Sequence, residues 1–149
     1  MSPEKLAELR SRADAAPHDF ELQVAAASAC DTWGREEDAI VYYDRAYPMV
    51  GQLPAAKRWE FFLGYGSTLR NVKRLDESRA VFEAAIAEWP DNSAFPAFLA
   101  LTLLDMGQAD RAVALLVDTL LVTGKDAPEI IRCSRSLGYY RDELRRRAR

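Results

Sequence analysis

A spacing of 34 residues recurs in this chain and limits what it can become. Tyr65-Gly66-Ser67-Thr68-Leu69 is followed 34 residues later by Leu99-Ala100-Leu101-Thr102-Leu103. At the same offset Ser78, Phe82 and Ala85 are followed by Ala112, Leu116 and Thr119, and Pro90 by Gly124. Such a period describes a hairpin of two helices that cannot bury its apolar face alone and must stack on copies of itself. An earlier unit fills the same slots with Ala27, Ala39, Tyr43 and Ala46. Its offset to the next unit is 39 residues, and the five extra residues fall in the connector Pro48-Met49-Val50-Gly51-Gln52-Leu53-Pro54.

Each slot has a packing reason. Ala27, Gly66 and Ala100 leave room where the second helix of a hairpin crosses the first. Ala39, Ser78 and Ala112 do the same from the other side, and Tyr43, Phe82 and Leu116 supply a large core residue four positions on. Apolar residues recur at three- and four-residue spacing throughout, without the sustained alternation of a strand. The predicted helices span 3–15, 18–33, 36–48, 55–72, 75–89, 94–106, 109–122 and 127–147. Ser2 is placed to cap the first, Asn92 or Ser93 the sixth, and Gly34, Lys73 and Gly107 fall in the turns inside the hairpins. The expected fold is all-α, with short turns forcing antiparallel neighbours.

Composition narrows the function. The chain has 149 residues, 49% hydrophobic and 29% charged, with a net charge of -3, so no global field draws it to nucleic acid or an anionic membrane. No run approaches the roughly 20 apolar residues of a membrane span. Residues 1 to 10 lack the apolar stretch of a signal peptide, and the two cysteines, Cys30 and Cys133, have no metal-like spacing. These features point to the cytoplasm and reduced thiols. Residues 1–48 carry five Lys/Arg against ten Asp/Glu, and residues 140–149 five Arg against two acids. An acidic head and a basic tail can meet across neighbouring chains, or each can be a solvated helix surface.

Catalytic signals are missing. His18 is the only histidine and follows Pro17 at a turn. Cys30 reads as core, and Cys133, near Ile130, Ile131 and Leu137, as similar. Glu36-Glu37-Asp38 complement a helix dipole. Gly64-x-Gly66 lies inside a helix and serves close packing rather than phosphate binding. The tail Arg145-Arg146-Arg147-Ala148-Arg149 has no aromatic platform beside it, which argues against nucleic acid. No enzyme, cofactor or metal site is expected.

The three units together resemble the tetratricopeptide repeat family over roughly residues 18–124. The stretches Gly64 to Val72 and Ala84 to Asp91 are similar to short stand-alone bacterial members, a group in which dimers have been suggested. The usual tryptophan near each unit's start is replaced by Gln23, Phe62 and Pro96. The resemblance implies a single domain, a right-handed α-solenoid of three hairpins with a capping helix at each end. Its parts are an N-terminal cap at 1–17, repeats at 18–53, 54–92 and 93–125, and a C-terminal cap at 126–149. It further implies a protein-interaction scaffold in which the first helix of each unit lines a concave face.

Helical spacing of i, i+3, i+7, i+10 selects the residues on that face. They are Glu21, Val24, Ser28 and Asp31; then Glu60, Leu63, Ser67 and Arg70, with Asn71 beside them; then Ala94, Ala97, Leu101 and Leu104. The acidic end suits a basic residue of a bound segment, and the leucines suit an apolar anchor, unless the last helix covers Leu101 and Leu104. Family members that clamp a C-terminal carboxylate use Lys, Arg and Asn where this chain has Val24, Ser28, Gly64, Ala94 and Phe98. The expected partner is a protein or peptide of another kind. The alternative is a structural homodimer joined through the terminal helix, where Tyr139 and Tyr140 are candidates.

Overall fold

A computed structural model describes residues 1–149 and contains eight α-helices and no strand. They are α1 (Pro3–Ala15), α2 (Phe20–Thr32), α3 (Glu36–Ala46), α4 (Ala55–Asn71), α5 (Leu75–Glu88), α6 (Ala94–Asp105), α7 (Ala109–Thr123) and α8 (Pro128–Arg147). The sequence places every one of them, with ends that differ by two residues at most. Helix starts are capped where the side chains allow it. Ser2 Oγ accepts from the Lys5 N–H at 3.4 Å, Asp19 Oδ1 from Leu22 N–H at 3.0 Å and Asn92 Oδ1 from Ala94 N–H at 3.1 Å. The connector between α3 and α4 winds into a 3-10 turn, Tyr47–Gln52, before Pro54 starts the next helix.

The three hairpin turns share one backbone feature. Gly34, Lys73 and Gly107 have φ of 65°, 66° and 76°, the left-handed conformation that ends a helix and turns the chain back. Lys73 alone carries a side chain there, which strains it by about 1 kcal/mol. Lys73→Gly is therefore expected to raise stability by about 1 kcal/mol, read as a higher urea midpoint at unchanged slope. An unchanged or lower midpoint would show that the lysine side chain offsets the strain.

The chain forms two compact units, Met1–Ser78 and Arg79–Arg149, and the division falls inside α5. In the first unit α2 and α3 form the hairpin, with Ala26, Ala27, Cys30, Ala39 and Ala46 buried at the close crossing. Burial pushes the Cys30 thiol up from its ordinary range, as suits an inert core residue. Gln23, in the slot the family gives to tryptophan, is also buried. Its side-chain N–H groups bond to the carbonyls of Ala13 at 2.7 Å and Ala16 at 3.0 Å, tying the end of α1 to α2. The core is then extended by rings. Tyr43 of α3 meets Phe61 and Tyr65 of α4 at centroid distances of 5.5 and 5.8 Å, and Phe20 meets Phe61 at 6.3 Å. Tyr65 donates to Asp44 at 2.8 Å, and Asp44 also takes Arg74 at 2.6 Å. The small slots close as expected: Ser78 Oγ donates to the Gly66 carbonyl at 2.8 Å.

In the second unit Phe82 of α5 is fully buried beneath Phe95 and Phe98 of α6, at 6.4 and 6.1 Å. Ala100 and Ala112 are buried where α6 and α7 cross. Two expectations fail here. Leu116, assigned to the same core slot as Phe82, is 44% exposed. Cys133, read as core, is exposed on α8. Both failures have one cause, the way α8 docks. Asp118 of α7 pairs with Arg141 at 3.0 Å and with Arg145, and Asp110 with Arg147 at 3.2 Å. These ion pairs hold α8 against the side of α7 that carries Ala114 and Asp118. The residues 34 positions earlier, Ala80 and Ala84, are exposed, whereas Ala114 is buried.

Candidate interaction surface

The stripes expected to face a partner lie on α2, α4 and α6, the first helix of each hairpin. In the first unit the α2 stripe is open: Glu21 and Ser28 are exposed, and Val24 and Asp31 are half-buried. On α4, Glu60 and Asn71 are exposed, while Leu63, Ser67 and Arg70 are half-buried. Ser67 Oγ is spent locally, donating to the Leu63 carbonyl at 2.7 Å. Besides the Phe20–Phe61 ring contact, a hydrogen bond joins the two helices, from the buried Thr68 hydroxyl of α4 to Asp31 Oδ1 of α2 at 3.1 Å.

Asp31 is the group whose chemistry stands out. Burial raises its carboxyl above the usual range, Glu36 raises it further, and the Thr68 hydrogen bond only partly opposes this. The shift has a consequence for stability. A carboxyl with a raised folded value binds its proton more tightly in the folded state, so its ionised form destabilises the fold at neutral pH, and that penalty disappears as the pH falls. Asp31→Asn is therefore expected to melt higher than wild type at pH 7, with the gap closing by about pH 3. An equal or lower melting temperature at pH 7 would contradict the assigned burial effect.

In the second unit Ala97 is half-buried, and Leu101 and Leu104 of α6 are exposed, so α8 does not cover them. α8 docks through Ile130, Leu137, Arg141 and Leu144, all only half-buried, and no residue of that helix is fully buried. Tyr139 and Tyr140 are 57% and 59% exposed, stacked edge-on at 5.4 Å, and Arg132 and Arg135 beside them are exposed without an ion pair.

Sequence reasoning missed one regularity. The 34-residue register continues into α8, where Ile130, Cys133, Ser134 and Leu137 follow Pro96, Leu99, Ala100 and Leu103. α8 is thus built as the first helix of a further unit, with Cys133 and Ser134 exposed. Extending the register past Gly124 finds this from the sequence alone. The reading also missed a face of α7 on which Val113, Leu116 and Leu120 are all exposed.

Residues 21–144 match the family model described as tetratrico peptide repeat. The chain belongs to the tetratricopeptide repeat family. No curated protein and no solved structure matches it. Repeats of this family generally mediate protein–protein interaction, and the family is typically non-catalytic. No helix of the chain is long and apolar enough to cross a membrane.

Proposed function

We propose that this chain is a non-catalytic adaptor or scaffold of the cytoplasm. It holds a peptide or protein segment on the exposed face of α2 and α4 in the first unit; the exposed face of α6 in the second unit is a candidate surface of its own. The observation that carries the reading is Asp31, a carboxylate kept half-buried on the α2 face at a cost to stability, with no ion-pair partner. Groups held in unfavourable ionisation cluster at functional sites. A basic side chain of a partner meets Asp31. Leu101 and Leu104 offer an apolar anchor point.

The test is affinity capture from a lysate of the source organism, with wild type beside Asp31→Lys and Leu101→Lys variants shown to fold by circular dichroism. A protein retained by wild type and lost by Asp31→Lys supports the face of the first unit, and one lost by Leu101→Lys the α6 face of the second. A partner that both variants retain removes it. A second reading, a homodimer through α8, draws on the exposed Tyr139 and Tyr140 and the unpaired Arg132 and Arg135. It requires a dimeric mass that Tyr139→Glu converts to monomer. A monomer throughout the accessible concentration range removes it.

A further inference from the structure

The exposed face of α7 has an internal precedent that states what belongs on it. In each preceding hairpin the large residue of the second helix is covered by aromatic rings from the helix that follows. Tyr43 lies under Phe61 and Tyr65 at 5.5 and 5.8 Å, and Phe82 lies under Phe95 and Phe98 at 6.4 and 6.1 Å. Phe61 and Phe95 are 34 residues apart and fill one slot. The next residue in that slot is Glu129, and the residue 34 positions after Phe98 is Arg132. α8 therefore carries Glu129 where α4 and α6 carry Phe61 and Phe95, and Arg132 where α6 carries Phe98. A carboxylate and a guanidinium cannot be laid on Leu116 without losing their water. α8 instead follows Asp118 and leaves Val113, Leu116 and Leu120 bare at i, i+3 and i+7, one continuous helix face.

We propose that this face of α7 is a docking seat for an amphipathic helix of a partner protein, one that presents aromatic side chains as Phe61 and Phe95 do inside the chain. The occupant continues the repeat stack where α8 fails to. Its aromatic side chains cover Leu116, and its apolar stripe runs along Val113 and Leu120. A stripe of unpartnered aliphatic side chains at helical spacing is the receptor half of helix-in-groove recognition. The surface is separate from the faces of α2, α4 and α6 and stands whether or not those bind a peptide.

The probe is a stapled helical peptide of residues 55–72, which carries Phe61 and Tyr65, titrated into the isotope-labelled full chain and followed by NMR. The expected result is saturable shifts at Val113, Leu116 and Leu120. Affinity should fall at least about tenfold for Leu116→Glu, and equally for a peptide with Phe61→Ala and Tyr65→Ala. Leu116 is exposed, so its variant keeps the fold, and Leu101→Lys should leave this binding unchanged. A second arm needs no peptide. Glu129→Phe with Arg132→Phe supplies the missing rings, and is expected to draw α8 over Leu116, protect the α7 face and exclude the peptide. The proposal is overturned if the peptide does not shift α7, if its binding survives Leu116→Glu, or if the double variant leaves Leu116 exposed. It is equally overturned if wild type dimerises and Leu116→Glu makes it monomeric, since the seat would then belong to a second copy.

Discussion

Phe82→Ala is expected to cost about 4 kcal/mol of folding free energy, and Leu116→Ala less than about 1 kcal/mol. The two residues lie 34 positions apart and hold the same slot of the repeat. Only their surroundings differ. Phe82 is fully buried between α5 and α6 beneath two rings, so truncation opens a cavity that the neighbouring helices cannot collapse. Leu116 is 44% exposed and loses few contacts on truncation. Urea unfolding of both variants checks this, with Phe82→Leu as a milder form if the alanine variant is too unstable to measure. Comparable losses at the two positions would mean that α8 covers Leu116 in solution, and would remove the bare α7 face along with the inference drawn from it.

Gly64→Ala is expected to destabilise by about 2 kcal/mol, although alanine is the better helix former by about 1 kcal/mol. A Cβ on Gly64 would overlap the hydroxyl of the buried Tyr43 and stand 3.1 Å from its Cζ. Tyr43 cannot retreat easily, because Phe61 and Tyr65 hold its ring from α4. Tyr43→Phe removes the oxygen and should return at least half of the loss, since the ring carbon stays close. The double-mutant cycle reads this coupling directly. If the two substitutions add without coupling, the glycine serves something other than room for Tyr43.

The fold was legible because its rules are local. Small residues at Ala27, Gly66 and Ala100 mark crossings, and the turn residues at Gly34, Lys73 and Gly107 mark reversals, whatever lies elsewhere in the chain. The same logic misled at Leu116. Being buried in that slot depends on the helix that follows, and a slot-by-slot reading assigned the leucine without asking whether α8 could cover it. The answer lay in Glu129 and Arg132. Cys133 failed for a related reason: its apolar neighbours suggested burial, but α8 docks through Ile130, Leu137, Arg141 and Leu144 and leaves it exposed. The candidate residues on α2, α4 and α6 were legible as positions. Their chemistry was not. Helical spacing puts Asp31 on the open face, but only the fold brings Thr68 to it and withholds water from it. Charge pairs such as Asp118 with Arg141 join residues distant in sequence, and no periodicity announces them.

The most direct measurement of the central claim is hydrogen–deuterium exchange on the chain alone and bound to the protein it captures. If the chain is an adaptor that grips a segment on the first helices of its first unit, binding should slow exchange in α2 around Asp31 and in α4 around Thr68. α3 and the 3-10 turn should remain unchanged. Protection confined to α8, or spread over α3 with α2 and α4 unaffected, would contradict the adaptor reading.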